Sequence, residues 1–103
     1  MRVNEISDDW RDYRHAQQER REKRRRRWLN EVERFERELN SCGLSLRQRT
    51  EYHFQVYRGD ALLLDYWPMP HQKYRLAGYT SILVASGWQE IVRKAQRYRP
   101  PAE

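Results

Sequence analysis

The first 42 residues contain neither glycine nor proline, and this uninterrupted stretch constrains the fold more than any other feature of the sequence. Ser7, Asp8 and Asp9 are suitable N-cap residues and place negative charge near a helix N-terminus. The sequence therefore predicts one helix from about Asp8 to Asn40, ended by Gly43 in a left-handed conformation. At about 1.5 Å per residue this helix is about 50 Å long, more than the width of a compact domain of this size. One end must therefore project.

The apolar residues of this helix indicate which end projects. They form one stripe at spacings of four, three and four residues, made of Trp28, Val32, Phe35 and Leu39. Continued towards the N-terminus, the stripe meets Arg25, Arg21 and Gln18, so only the second half is suited to packing against a core. The chain is accordingly divided into a basic helical arm of residues 1–27, a compact domain of residues 28–98 and a tail of residues 99–103.

The segment from Arg11 to Arg27 carries the whole net charge of the chain. From Arg11 to Arg27, nine of 17 residues are basic and three are acidic, a net charge of +6 that equals the net charge of all 103 residues. The nine basic residues are Arg11, Arg14, Arg20, Arg21, Lys23, Arg24, Arg25, Arg26 and Arg27. So concentrated a cationic surface favours phosphates, anionic lipids or an acidic protein as partner. Because neighbouring cations repel each other along the helix, a polyanion should favour its formation.

The composition of the arm resembles the arginine-rich RNA-binding helices of lambdoid antitermination N proteins. The residues that carry the resemblance are Ala16, Gln17, Arg20, Arg21, Glu22, Lys23 and Trp28. It implies an RNA-binding helix in which Trp28 stacks on an RNA loop, whereas the apolar stripe predicts that Trp28 anchors the helix to the core. A membrane partner is not expected, because Ala16 is the one apolar residue between Arg14 and Arg27.

The remainder of the chain predicts a small sheet and a second helix. Strict alternation predicts a strand from Thr50 to Tyr57, a turn at Arg58 to Asp60 and a strand from Ala61 to Trp67, with a short third strand from His71 to Leu76. Ile82 to Arg97 reads as a helix with Gly87 inside it. The predicted fold class is α+β: a long N-terminal helix with a projecting basic half, an antiparallel sheet of two or three strands, and a C-terminal helix in the order αββ(β)α.

A segment of about 45 residues resembles small phage and prophage proteins of uncertain role. It contains a strand ending in acidic, aromatic, Trp and Pro residues, followed by a basic and aromatic strand, a glycine and a helix. The matching residues are Asp65, Tyr66, Trp67, Pro68, Lys73, Tyr74, Arg75, Gly78 and the segment from Thr80. The resemblance implies a phage or mobile-element origin, with action in the host cytoplasm, and no defined chemistry. Phage proteins of this size often act by binding to a host protein complex, such as a nucleic-acid-handling complex or a CRISPR effector.

Neither an enzyme nor a metal protein is expected from the sequence. His15, His53 and His71 lie far apart without zinc-type spacing, and the single Cys42 has no cysteine to pair with. No phosphate-binding glycine loop or nucleophile motif is present, and His53 is the one candidate base. We therefore expect no cofactor. The lack of a signal peptide or of a membrane-spanning stretch predicts a soluble, cytoplasmic protein.

Two functional hypotheses follow from the sequence. The first is a non-enzymatic nucleic-acid-binding protein, for RNA or DNA, whose contacts come from the nine basic residues between Arg11 and Arg27 together with Trp67, Lys73 and Arg75. The second is a phage-encoded inhibitor, such as an anti-CRISPR protein, whose arm enters an acidic groove of a host protein complex. A homodimer is an open alternative for either, because the apolar stripe could equally face a second copy.

Overall fold

The structure, a computed structural model, describes the backbone of residues 3–101 and the side chains of residues 11–101. Its elements are two helices and five strands: α1 (Val3–Ser41), β1 (Ser45–Thr50), β2 (His53–Arg58), β3 (Ala61–Trp67), β4 (Lys73–Leu76), β5 (Leu83–Val84) and α2 (Trp88–Arg97). The predicted α+β class is confirmed. The five strands form one antiparallel sheet in the order β1-β2-β3-β4-β5, so the prediction of two or three strands was too low.

Helix α1 is continuous for 39 residues and runs through the whole basic segment. It begins before the predicted cap residues Ser7, Asp8 and Asp9, which lie within its first turns. At its other end the prediction was right: Gly43 has a φ of 77°, in the left-handed region that glycine tolerates best. The amide of Leu44 donates to the carbonyl of Leu39 at 2.9 Å, and both side chains are buried. This backbone bond and apolar pair define a Schellman termination.

The strand predicted from Thr50 to Tyr57 is present as β2, but it begins three residues later than predicted. Thr50 ends β1, Glu51 and Tyr52 form a two-residue turn, and His53 begins β2. The turn contains no glycine, proline or asparagine, so its sequence gives none of the usual turn signals. Strand β1 was missed for a related reason. It is an edge strand whose residues are mostly exposed, and its sequence SLRQRT therefore lacks the alternation that marks a half-buried strand.

The second helix is also shorter than predicted. Ile82 to Arg97 was expected to be one helix, but Leu83 and Val84 pair with β4 and the helix begins at Trp88. Gly87 stands just before the helix instead of inside it. The apolar spacing of Val84, Trp88 and Ile91 suggested a common helical seam, yet Val84 is 84% exposed. A two-residue strand is too short to show a period of its own.

Both helices pack on the same face of the sheet, which gives a two-layer domain. The inner face carries apolar side chains from β2, β3 and β4, among them Phe54, Val56, Leu64, Tyr66 and Tyr74. Phe35 of α1 contacts Tyr66 on the sheet, with 5.6 Å between ring centroids, and Trp88 of α2 at 5.9 Å. Trp28 lies edge-on to Phe54 at 5.3 Å, so the predicted role of Trp28 as a core anchor is confirmed.

The apolar stripe of α1 provides the stability test. Phe35 is completely buried, whereas Leu29 on the neighbouring turn is 56% exposed. We expect Phe35→Ala to lower the free energy of unfolding by about 3–5 kcal/mol, because it removes a ring from the centre of the core. The matched variant Leu29→Ala should change it by less than about 0.5 kcal/mol. Urea unfolding monitored by tryptophan fluorescence measures both, and equal losses would show that α1 does not pack through this stripe.

Candidate functional site

The basic arm is exposed to solvent along the residues that the sequence singled out. All nine basic side chains between Arg11 and Arg27 are exposed, and burial begins at Trp28. The helix supplies a regular scaffold for these cations because each residue turns by about 100° around the axis. Their directions can therefore be compared with the direction of the apolar stripe.

The arm divides into a basic face and an acidic face. With Trp28 as reference, several arm residues point within about 60° of the stripe, namely Arg14, Gln17, Arg21, Arg24 and Arg25. The three acidic residues between Arg11 and Arg27, namely Asp12, Glu19 and Glu22, point about 120° or more away from it, and Lys23 and Arg26 point to that side as well. We call the first set the basic face of the arm. The basic face lies on the side of the helix that carries the apolar stripe and faces the sheet, and the three acids lie on the other side.

Contacts with the domain agree with these directions. Arg25 Nε lies 2.9 Å from Oε1 of Glu51, in the β1–β2 turn. Arg24 and Arg27 line a groove of about 390 Å³ whose other wall contains Pro68, Met69 and Pro70 of the β3–β4 loop and the start of α2. The basic face therefore overlooks the end of the sheet at which these two connections lie. The basic face of the arm and this end of the sheet together form a concave surface, which we call the corner.

The acidic face of the arm is paired within the helix. Glu19 lies 3.2 Å from His15, and Glu22 lies 3.9 Å from Arg26, both at i,i+4 spacing. Such exposed pairs contribute only a few tenths of a kcal/mol each. Glu19 and Glu22 also line a groove with Arg25 and with Tyr52 of the β1–β2 turn, so this negative charge is not excluded from the end of the sheet.

A second cationic surface lies on the outer face of the sheet, opposite the two helices. Cross-strand pairing aligns Arg47, Gln55, Asp65 and Arg75 in one row over four strands, from β1 to β4. The alternation along β2, β3 and β4 places His53, Trp67 and Lys73 on the same face, with Lys73 directly paired to Trp67. We call this set the outer sheet face. The predicted residues Trp67, Lys73 and Arg75 are thus brought together.

Asp65 organises the centre of the outer sheet face. Its side chain is 4% exposed, and its Oδ1 accepts from Gln55 Nε2 at 3.0 Å and lies 2.7 Å from His53 Nε2. Its Oδ2 accepts from Arg75 at 3.2 Å. Burial by itself would raise the pKa of Asp65, but the hydrogen bonds from His53, Gln55 and Arg75 and the charge of Arg75 outweigh it, so the pKa is lowered. Asp65 is therefore an ionised, fully partnered carboxylate.

Aromatic rings hold the cations of the outer sheet face. The guanidinium of Arg47 lies 4.5 Å from the ring centroid of Tyr57. Arg75 and Lys73 lie 5.7 Å and 6.0 Å from the ring of Trp67, whose other neighbour is His53, stacked at 4.8 Å. The indole is thus flanked by side chains of this chain. Cations held against rings in this way lose less conformational freedom when they bind an anion.

Some of this surface could have been found in the sequence. The alternation on β2 already placed His53 and Gln55 on the polar face, and Asp65 is a single acid in the apolar strand ALLLDYW. An isolated acid in such a strand needs partners from its neighbours, and β2 and β4 supply them. Arg47 had no signal, because β1 itself was missed. Tyr74, a residue that could have offered a stacking surface, is buried in the core.

The His53–Asp65 pair positions side chains and is not joined to a nucleophile. Within residues 11–101, the hydrogen bond of His53 is to Asp65, and no hydroxyl or thiol is bonded to its ring. The same residues contain no cluster of three His, Cys, Asp or Glu side chains that could hold a metal ion. Over the described part of the chain, no helix is long and apolar enough to cross a membrane.

The fold and the two surfaces define a class: a two-layer α+β domain with a cationic helical arm and a cationic outer sheet face. Comparison with protein-family models, with curated proteins and with solved structures finds no match for this chain. Its function must therefore be argued from the chemistry of these two surfaces.

The lowered pKa of Asp65 has a measurable consequence. Its ionised form is favoured by folding, so its contribution to stability is present above the ordinary pKa of 3.8 and is lost as the pH falls through the lower folded value. At about pH 5 we expect Asp65→Asn to cost about 1–3 kcal/mol of unfolding free energy. Below pH 3.8 the difference between the two proteins should shrink. Urea unfolding over this range measures it, and a constant difference would show that Asp65 does not titrate with folding.

Proposed function

We propose that this chain is a non-enzymatic nucleic-acid-binding protein whose arm binds the phosphates of a duplex, with the basic face turned to the ligand. The domain of residues 28–98 holds the arm in place and forms the second wall of the corner. The cationic charge and its phosphate partner are chemistry common to RNA and DNA. Contacts of this kind position a protein on a nucleic acid without reading its sequence.

The observation that carries this proposal is the segregation of charge around the arm. A helix that needed charge only for solubility would gain nothing from gathering its acids on one side. By helical phase Asp12, Glu19 and Glu22 point about 120° or more from the apolar stripe, while Arg21, Arg24 and Arg25 point within about 60° of it. Acids of the domain side also lie at the corner, where Glu51 pairs with Arg25 and Glu31 lines the groove beside Arg24. Arginine exceeds lysine by eight to one between Arg11 and Arg27, and its planar guanidinium is suited to bidentate phosphate contacts.

Energetics favour the same partner. Arg20 and Arg24, like Arg21 and Arg25, are like-charge i,i+4 pairs, each of which costs a few tenths of a kcal/mol in an isolated helix. Phosphates placed between such cations replace repulsion by attraction and release counterions. Repulsion between these cations therefore destabilises the arm in the free protein, and binding of a polyanion would remove that repulsion.

Salt dependence tests the proposal. The affinity for an RNA duplex and for a DNA duplex should fall steeply with salt, with a slope of log K against log salt of about 0.7–0.9 per phosphate neutralised. Replacing Arg24, Arg25, Arg26 and Arg27 with Gln should abolish measurable binding and leave the thermal unfolding midpoint nearly unchanged, because these side chains are exposed. Fluorescence anisotropy at several salt concentrations measures the slope, and the two duplexes distinguish RNA from DNA as the ligand.

A matched pair of double variants tests the direction of the basic face. Arg21→Gln with Arg24→Gln removes two cations that point into the corner, while Lys23→Gln with Arg26→Gln removes two from the side that faces away. Both change the charge equally on the same helix. We expect the first pair to reduce the salt slope by about 1.5, and the second by less than about 0.5. Equal reductions would contradict a directed interface and leave only diffuse attraction.

Failure of both duplexes to bind would also be decisive. If the protein at micromolar concentration leaves RNA and DNA unshifted in low salt, nucleic acid is not its ligand. The same arginine face would then point to an acidic groove on a protein, which was the competing hypothesis from the sequence.

A further inference from the structure

The outer sheet face is a layer of the molecule that nothing in the chain covers. Both helices pack on the inner face, and within residues 3–101 no other element lies across Tyr57, Trp67 and Arg75. Single polar residues on an open sheet face need no explanation. This face differs because its cations are fixed in place and its one carboxylate is withdrawn from solvent.

Charge on this face is positive wherever a ligand could reach it. Asp65 is 3% exposed and accepts hydrogen bonds on both oxygens, so it offers no exposed negative charge. The side chain of Arg75 remains 41% exposed despite its contact with Asp65. Arg47 on β1 is also exposed, and Lys73 on β4, with two strands between them, is partly exposed on the same face. A ligand on this face therefore meets three cations, and an exposed acid at its rim is Glu51 in the β1–β2 turn, which pairs with Arg25.

The rings on this face add a second kind of contact. Tyr57, Trp67 and His53 are all partly exposed, and each is next to a cation or to another ring. Proteins that bind single strands combine cations that follow the backbone with aromatic side chains that contact unpaired bases. A duplex buries its bases in the stack and would not bring them to these rings.

The two surfaces meet at one end of the sheet. Arg25 contacts the β1–β2 turn, and His53 begins the strand that follows that turn. Trp67 ends β3 and Lys73 begins β4 at the same end, and the loop between them faces Arg24 across the groove. A strand that leaves the corner of the arm can therefore pass around this end onto the outer sheet face.

We infer that the outer sheet face binds unpaired nucleotides, so that the ligand is a duplex continued by a single-stranded segment. Phosphates of that segment contact Arg47, Lys73 and Arg75. Its bases contact the exposed edges of Tyr57 and Trp67, because His53, Arg75 and Arg47 already pack against the faces of these rings. Asp65 is a positioning residue that holds Arg75 and His53 in place. This inference extends the proposed function and rests on it only for the duplex part of the ligand.

The experiment uses the full chain and three probes: a blunt duplex, the same duplex with an unpaired tail, and the tail strand alone, each in RNA and DNA form. We expect the tailed duplex to bind about ten-fold more tightly than the blunt one, because the phosphates of the tail add contacts to Arg47, Lys73 and Arg75. Arg47→Gln with Lys73→Gln should remove most of this gain. Both residues lie outside the hydrogen bonds of Asp65, so the domain should remain folded.

The matched control is Arg93→Gln with Arg97→Gln, which makes the same charge change on exposed positions of α2, in the opposite layer. This control should keep the full gain from the tail, and all variants should bind the blunt duplex alike to within about two-fold. Equal affinity of the wild-type protein for tailed and blunt duplexes would overturn the inference, as would an equal effect of the two double variants. Thermal unfolding midpoints verify that both variants are folded.

These outcomes separate the two proposals. Loss of the tail effect with intact duplex binding would remove only the outer sheet face from the interface. Binding of the tail strand alone, with no binding of the blunt duplex, would instead refute the role proposed for the arm. A protein that binds none of the probes would refute both.

Discussion

The packing of one apolar stripe against the sheet is the constraint on which the rest of the structure depends. Trp28 and Phe35 are packed against Phe54 and Tyr66 with ring centroids 5.3–6.0 Å apart, and Leu39 completes the buried stripe. These contacts fix the rotation of α1 about its own axis as well as its position. Because the arm belongs to the same continuous helix, the contacts that stabilise the domain also decide where the arginines point. Stability and charge placement are therefore coupled in this chain.

The two faces of the sheet have different roles: the inner face stabilises the domain, and the outer face carries the charged side chains. Aromatic and aliphatic side chains fill the inner face, while the outer face has a buried carboxylate at its centre. A buried charge is tolerated only when its hydrogen-bonding capacity is met, and here three neighbours on β2 and β4 meet it. The same bonds hold His53 and Arg75 in defined positions. An acid that would weaken a cationic surface if it were exposed thus helps to arrange that surface.

Sequence reasoning succeeded where a long pattern or a strong local signal existed. The stripe of α1 spans several turns, and Gly43 and the Arg58 to Asp60 turn have the residues that their conformations need, so the helix end and the β2–β3 hairpin were predicted correctly. It failed at β1 and β5, because an exposed edge strand lacks alternation and a two-residue strand has no period. The cations of the arm were identifiable from composition alone. The arrangement around Asp65 depends on three strands being adjacent, which a linear pattern does not contain.

The continuity of α1 also limits how such a chain could change its length. One residue inserted between Arg27 and Trp28 would swing every upstream side chain by about 100° and bring the acids round towards the corner. Seven residues, close to two complete turns, would lengthen the arm while shifting its direction by only about 20°. An arm that becomes longer in evolution should therefore gain residues in groups of seven. Such insertions keep the basic face directed towards the corner, because the domain fixes the rotation of the helix.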